Sequence, residues 1–372
     1  VGDFLTHDMY LEIDGSKGEG GGQILRSSLA MSAVLGRPIR MKNIRAGRSK
    51  PGLQAQHLTC VNALAEITDA DLEGAALGSQ ELTFAPHALR SGRYRFDVAQ
   101  IRPSAGSLSL VFQAIVLPLA FAGGVSANVT LLGGTHVPWS PPVHYLQMVY
   151  LPSVARMGLK ADIELKSWGW YPKGGGEAVA QIHPAWEGEA PAEPKLRGID
   201  LSERGERKGI RGVSAVSNLP MSIALRQQDR SLKMLKSAGV DASFQVVNAP
   251  SRGQGTVVFI LAEFEGSRAG FTSLGARGKR AEEVAEEACK ECMDFLNSGA
   301  AIEEHLADQL VPLMAPAEGR SCFTASKISL HLLTNIWVAE QFLPVKFQVD
   351  GEEGQPGRVS VDGVGFGRSG IR

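Results

Sequence analysis

Three short segments of the chain hold residue types whose spacing could support chemistry on a phosphate. The first is Gly18-Glu19-Gly20-Gly21-Gly22-Gln23-Ile24-Leu25-Arg26, a glycine-rich turn running into a helical pattern. Consecutive glycines let backbone N–H groups approach an anion, and a helix N-terminus adds positive potential. The segment has neither G-x-x-x-x-G-K-[ST] nor the spacing of G-x-G-x-x-G, so it is not a Walker A loop or a dinucleotide fingerprint. Glycines alone would read as a tight turn. Glu19 among them adds a carboxylate that suits a divalent metal.

The second segment runs from Ile44 to Leu58 (IRAGRSKPGLQAQHL). Arg45 and Arg48 can fork onto phosphates, and Gln56 and His57 can hydrogen-bond beside them. It ends a basic run, Arg37 to Lys50, with six Lys or Arg and no acid. A formal net charge of −1 does not advertise a nucleic-acid partner, yet a local patch can bind phosphates while the molecule stays neutral. Standing alone, such a run is a solvated strand and loop. The third segment is His305-Leu306-Ala307-Asp308-Gln309-Leu310 followed by His331-Leu332-Leu333-Thr334-Asn335-Ile336. His331 is expected just ahead of a helix capped by Thr334. A helix N-terminus disfavours the imidazolium and leaves a neutral ring nitrogen able to attack phosphorus. Taken singly, one of eight histidines placed before a helix is more often structural.

The elements that must position these residues follow a recurring order. Strand Tyr10–Asp14, helix Ile24–Leu35, strand Pro38–Ile44, helix Gln54–Ile67 and strands Leu72–Leu77, Glu81–Phe84 and Tyr94–Val98 suggest helices on one face of a sheet. Helix Ser107–Ala122, strand Val125–Leu132, helix Val143–Met157 and strands Lys160–Lys166 and Gly176–His183 repeat that order. Arg280–Asn297 and Thr334–Phe342 are expected as the two helices of a third unit, with strands Phe347–Val349 and Val359–Val361. Pro184 to Lys195 reads as a linker. Beyond it, strands Gly212–Val216 and Thr256–Ala262 around helix Ser222–Ala238 suggest an inserted small domain. The expected fold class is α+β: repeated two-layer units, each two helices on a four-stranded sheet, with an inserted smaller α/β domain. The division is 1–183, 184–278 and 279–372.

Composition sets limits on the rest. Hydrophobic residues make up 44% and charged residues 21% of 372, ordinary for a globular protein. No uninterrupted apolar run of about 18 residues is present, which argues against a spanning helix. Val1 to Tyr10 lacks the layout of a signal peptide, so a cytoplasmic location is expected. Of the four cysteines, Cys289 and Cys292 form a lone C-x-x-C inside a helical pattern, expected as a reduced structural pair.

In combination the segments resemble the RNA 3′-terminal-phosphate cyclase family over nearly the whole chain. The stretches IDGSKGEGGGQILRSSLA, IRAGRSKPGLQAQHLT, GSLSLVFQAIVLPL, GGTHVPWSPPVHYL, YPKGGGE, HLADQLVPLMA and HLLTNIWVAEQFLPV occur in that family's order. The resemblance implies that His331, in H-x-x-T-N, takes AMP from ATP and releases pyrophosphate. AMP then passes to an RNA 3′-phosphate, which the adjacent 2′-hydroxyl closes into a 2′,3′-cyclic phosphate. It also implies Glu19 as the residue associated with a divalent metal (Mg or Mn), and Arg26, Arg45, Arg48, Gln56 and His57 as the phosphate and RNA-end cluster. ATP would be bound by Gln113, by His305, Leu306, Ala307, Asp308 and Gln309, and by Pro141. His305 departs from the family, which often carries a tyrosine that stacks on adenine opposite a proline resembling Pro141. An imidazole stacks with less area.

The expected chemistry is coherent. Metal and arginines neutralise the phosphates, a phosphoramidate splits one exchange into two, and the 2′-hydroxyl already lies beside the phosphorus. One rival is a non-catalytic relative acting in ribosome assembly, but such relatives lack the nucleophilic histidine. An enolpyruvyl transferase, whose family has related repeats, would not explain HLADQ followed by HLLTN. A nucleotide-binding module without chemistry is the third alternative.

Overall fold

A computed structural model describes residues 10–185 and 196–367. In the first unit, β1 (Leu11–Asp14) leads through α1 (Gly22–Leu35) to β2 (Ile39–Lys42). Then come α2 (Ala55–Thr68), β3 (Asp71–Glu73) and β4 (Leu82–Ala85). The sheet order is β1-β2-β4-β3, with β1 parallel to β2 and the remaining pairs antiparallel. Alternation along β2 buries Ile39 and Met41 completely, as a half-buried strand requires. Arg40 and Lys42 point outward and pair with Glu12 at 3.3 and 3.1 Å. Arg37 instead reaches the Gln341 and Phe342 carbonyls. The basic run is therefore not one patch: only its end, from Arg45 on, turns toward the glycine-rich loop.

The second unit repeats the plan with β5 (Arg93–Asp97), α3 (Leu108–Phe121) and β6 (Ala127–Gly133). Next come α4 (Val143–Tyr145), a π-type turn at Leu146–Tyr150, α5 (Leu151–Ala155), β7 (Ala161–Ser167) and β8 (Gly176–Ile182), in sheet order β5-β6-β8-β7. The short β9 (Asp200–Leu201) follows. A separate sheet is then built from β10 (Arg207–Ser217), α6 (Met221–Ser237), β11 (Ala242–Asn248), β12 (Gly255–Phe264) and β13 (Arg268–Leu274), ordered β11-β10-β12-β13. After α7 (Ala281–Ser298) the chain forms α8 (Glu304–Met314), β14 (Glu318–Ala325), α9 (Leu330–Phe342), β15 (Gln348–Asp350) and β16 (Gly357–Val364). Here β9 pairs in parallel with β14, giving the order β15-β16-β14-β9 and completing a third copy of the plan.

Packing corrects one expectation. Arg280–Asn297 was expected as a helix of the third unit, but α7 packs on α6, β12 and β13. Its Val284, Ala288, Cys292 and Phe295 join Ile260, Ala262 and Phe271 in a core separate from the main one. The apolar stripe of α7 is covered by the small sheet, and α8 and α9 serve the third unit instead. We propose that the insert runs over residues 207–298, with β9 already part of the third unit. Of the expected linker, residues 186–195 lie outside the described residues. All four cysteines are free and buried, and burial pushes the Cys292 thiol up to about 12. Among the described residues no helix is long and apolar enough to cross a membrane.

The helices of the three main units meet in one core. Helix α1 packs on α3 and α9, and α8 packs on α9. That meeting of helices brings together segments more than 300 residues apart in sequence.

Candidate nucleotide and phosphate site

His331 lies in the first turn of α9. Ser329, not the expected Thr334, is the N-cap, accepting the Leu332 N–H at 3.2 Å. Thr334 sits one turn further in, where its hydroxyl donates to the Leu330 carbonyl at 2.6 Å and accepts the Glu19 N–H at 3.0 Å. The glycine-rich loop is thereby fastened to the start of α9. Gly18 has φ +59°, and a Cβ there would lie 2.2 Å from the Thr334 hydroxyl oxygen, so both backbone and packing demand glycine. His331 Nε2 stands 3.9 Å from Glu19 Oε1, and its side chain is 50% exposed. Burial lowers the His331 pKa, and His305, Arg26 and Arg48 lower it further against the opposing pull of Glu304. The ring is held neutral, as a nucleophile requires.

On one side of His331 lies the cationic cluster. Arg48 forms an ion pair with Glu19 and donates to its carbonyl at 3.0 Å. Arg45 spends part of its guanidinium on its own loop, donating to the Lys50 and Gly52 carbonyls at 2.7 and 2.8 Å. His57 Nδ1 accepts the Gln54 N–H at 3.2 Å, which leaves the proton of the neutral ring on Nε2. A Cβ on Gly22 would lie 2.3 Å from that Nε2 and 3.0 Å from an Arg26 guanidinium nitrogen. Two donors therefore converge on the glycine-rich turn. Burial, with Arg26 and Arg45, drives the His57 pKa down to about 3. Gln56 differs from expectation in its use: its carbonyl oxygen accepts the Ser107 N–H at 2.6 Å, next to the start of α3.

On the other side opens a cleft of about 1040 Å³, lined by Arg26, Gln113, Pro141, His305, Asp308, Gln309 and His331, among others. Gln113 Nε2 donates to Gln309 Oε1 at 2.7 Å, joining α3 to α8. Glu303 caps α8, accepting the His305 and Leu306 N–H groups at 2.6 and 2.9 Å, and Tyr145 donates its hydroxyl to the same carboxylate. Burial opposes a charge on His305, but Glu303, Asp308, Glu304 and Glu291 outweigh it and raise the pKa. Burial also raises Asp308 to about 7. Leu306 and Ala307 do not reach the cleft, because both are fully buried in the main core. They can shape the site only by fixing α8.

Glu19, Arg45, Arg48, Gln56 and His57 are not among the residues lining the cleft. The expected residues thus form two neighbouring compartments, with His331 and Arg26 at their junction. Sequence reasoning did not single out Glu303, Tyr145 or Ser27 as parts of this site. Ser27 donates to Asn335 Oδ1 at 2.7 Å while Asn335 donates to the Asp308 carbonyl at 2.7 Å, tying α1, α8 and α9 together. Glu303 and Ser329 carried a legible signal, since each stands one residue before a helical pattern.

Among the described residues no group of three or more His, Cys, Asp or Glu could hold a metal ion. The site therefore has no protein cage for a cation. Glu19 fits the other arrangement, one carboxylate completing a metal shell made mostly of phosphate oxygens and water.

The profile of the family described as "RNA 3'-terminal phosphate cyclase" matches residues 17–349. An RNA 3'-terminal phosphate cyclase of Nostoc punctiforme is 46% identical over 335 residues, 89% of this chain and 94% of that protein. Another, of Pyrobaculum neutrophilum, is 43% identical over 360 residues, 96% of this chain and 100% of that protein. A solved EPSP synthase from Acinetobacter baumannii covers 96% of this chain and 66% of its own at 12% identity, with a TM-score of 0.30, a likeness that carries no argument. By profile and by relatives, the chain belongs to the RNA 3′-terminal phosphate cyclase family.

Proposed function

We propose that this chain converts an RNA 3′-terminal phosphate into a 2′,3′-cyclic phosphate with ATP as co-substrate, and that His331 carries AMP between the two. The observation that carries the reading is the position of His331. It lines the nucleotide-sized cleft on one side and stands 3.9 Å from Glu19 of the cationic cluster on the other. A group transferred from cleft to cluster would have to pass this ring.

In the first step a neutral His331 nitrogen bonds to the α-phosphorus of ATP, and the bond to pyrophosphate breaks. Gln113, Gln309, Pro141 and His305 would hold the nucleotide in the cleft, with Asp308 and the buried pair Leu306 and Ala307 keeping α8 in place. In the second step an oxygen of the RNA 3′-phosphate displaces His331 from the AMP phosphorus. Arg26, Arg45, Arg48 and His57 Nε2 would hold that phosphate, and Gln56 would orient their loop through Ser107. In the last step the 2′-hydroxyl oxygen bonds to the terminal phosphorus, its proton is lost and AMP leaves. This ring closure is intramolecular, which gives it a large kinetic advantage and requires a ribose. A divalent metal (Mg or Mn), bound through Glu19 and the phosphates, would supply charge neutralisation. Glu19 is engaged by Arg48, so that guanidinium and a cation would compete for the carboxylate. Action in the cytoplasm fits this substrate.

The test uses an oligoribonucleotide labelled at its 3′-phosphate, incubated with the protein, ATP and Mg or Mn. The reading requires the label to become resistant to phosphatase while remaining on the RNA. Persistent phosphatase sensitivity with folded protein would favour the non-catalytic, ribosome-assembly type of relative.

A further inference from the structure

The loop Tyr171-Pro172-Lys173-Gly174-Gly175 has no part in the site described above, yet it is anchored firmly. Gly174 donates its N–H to the Trp170 carbonyl at 2.7 Å, leaving Tyr171 and Lys173 at an exposed tip. Toward the second unit, a Cβ on Gly174 would lie 2.9 Å from the Ser104 carbonyl. Toward the insert, a Cβ on Gly255 would lie 2.0 Å from the ring of buried Trp170. A Cβ on Gly253 would lie 3.9 Å from Lys173 Cβ, and one on Gly175 would lie 3.9 Å from Arg252 Cδ. The tip is wedged between main domain and insert, with Arg252 of the insert beside it.

This tip is continuous with the phosphate cluster. Ser104 accepts the Gly106 N–H at 3.1 Å, and a Cβ on Gly106 would lie 2.9 Å from Gln56 Cβ. Arg102 donates to Gln54 Oε1 at 2.8 Å, at the start of the helix that carries Gln56 and His57. Several cations elsewhere on the insert are paired, Arg211 with Glu263, Arg226 with Glu282, Arg230 with Glu286 and Lys279 with Glu287. Among the described residues Arg102, Lys173 and Arg252 have no carboxylate partner. Beside them Tyr171 leaves 68% of its surface in water. Unpaired cations at intervals with an exposed aromatic ring are what a single strand of nucleic acid recognises, phosphates by charge and bases by stacking.

We infer that Arg102, Lys173 and Arg252 form a track for single-stranded RNA leading away from the reactive end, with Tyr171 stacking on one base of the strand. This rests on the proposed function only in placing the RNA 3′-end at the His57 cluster. The track gives the insert a task, since Arg252 comes from it. It also makes the protein prefer an RNA several nucleotides long to a terminal dinucleotide.

The experiment compares a twelve-residue oligoribonucleotide 3′-phosphate with a dinucleotide 3′-phosphate as substrates of the full chain. Tyr171→Ala and the double variant Lys173→Ala/Arg252→Ala are each expected to raise KM for the longer RNA about tenfold and to leave KM for the dinucleotide in place. Anisotropy titrations of the same twelve-mer ending in a 3′-hydroxyl add a readout independent of turnover. Losing two phosphate contacts should flatten the slope of log K against log salt by about 1.4. Unchanged long-RNA KM and unchanged salt slope in the double variant would overturn the track. If the native protein turned over neither substrate, the functional proposal would fail, and the anisotropy series would still decide the track: weakened binding supports it, equal binding overturns it.

Discussion

The hydroxyl of Thr334 accepts the backbone N–H of Glu19 at 3.0 Å, joining the glycine-rich loop near one end of the chain to the first turns of α9 near the other. The contact leaves no room for a side chain at Gly18, whose φ of +59° also lies in the left-handed region. It sets the distance between Glu19 and His331, and through Glu19 the place of Arg48.

Gly18→Ala should therefore damage both fold and chemistry. The left-handed backbone alone costs a non-glycine residue about 1–2 kcal/mol, and the clash with Thr334 adds to it. Denaturant unfolding is expected to show a loss of at least that size. Labelling of the folded protein by ATP should fall about tenfold or more. A variant of native stability and native labelling would show that loop and helix are not coupled.

The acid limb of His331 carries the sign of its surroundings. Burial and the neighbouring cations Arg26 and Arg48 lower its pKa, so the ring stays neutral, and able to attack, below the ordinary histidine range near 6.5. Arg48→Gln removes one of those charges and also frees the Glu19 carboxylate, and both changes stabilise the imidazolium. NMR titration of the ring should place its pKa higher in the variant than in the native chain. A lower value would contradict the electrostatic picture.

Asp308 gives stability a pH dependence. Its carboxyl is raised by burial to about 7 from the ordinary aspartate value of 3.8, so the folded state holds a proton that the unfolded chain has already lost between those values. Stability contributed by that proton is present below about pH 4 and disappears as pH rises toward 7. The raised pKa of His305 acts in the same direction. The buried, neutral histidines such as His57 act in the opposite direction below about pH 6.5, so the native chain is compared with Asp308→Asn: its melting temperature relative to that variant should fall from pH 5 to pH 8. A difference between the two that does not change with pH would remove Asp308 as its source.

The cysteines should be inert. All four are buried and free, and burial raises the pKa of Cys60 to about 11 and of Cys292 to about 12, which suppresses the reactive thiolate. A thiol reagent should modify none of them rapidly in the native protein and all of them after unfolding. Rapid modification of Cys289 or Cys292 in the folded chain would revive a redox role for the C-x-x-C pair.

The repeated plan was legible because apolar segments preceded by glycine mark α1, α2 and α3. Three of the elements it missed have physical disguises. Strand β11 lies on an edge with little of its surface buried. Strand β13 includes Gly270, where a Cβ would crowd Tyr145 and Val149 at 2.9 Å. In α8 a proline, Pro312, interrupts the helical pattern. The assignment of α7 to the wrong unit arose because its apolar stripe does not say which sheet will cover it. At the site, residue types and motif order pointed to Glu19, Arg48 and His331, and the fold brings these three together. The ties made by Ser27, Asn335 and Tyr145 had no local signature, since their partners come from other helices and meet only after folding.

The central claim is that His331 accepts AMP from ATP, and the most direct measurement follows ATP labelled at the α-phosphate onto the protein in the absence of RNA. The account predicts acid-labile label on the native chain, its transfer to RNA bearing a 3′-phosphate, and no label on a folded His331→Ala variant. Label retained by that variant, or absent from the native protein with ATP and metal both present, would contradict it.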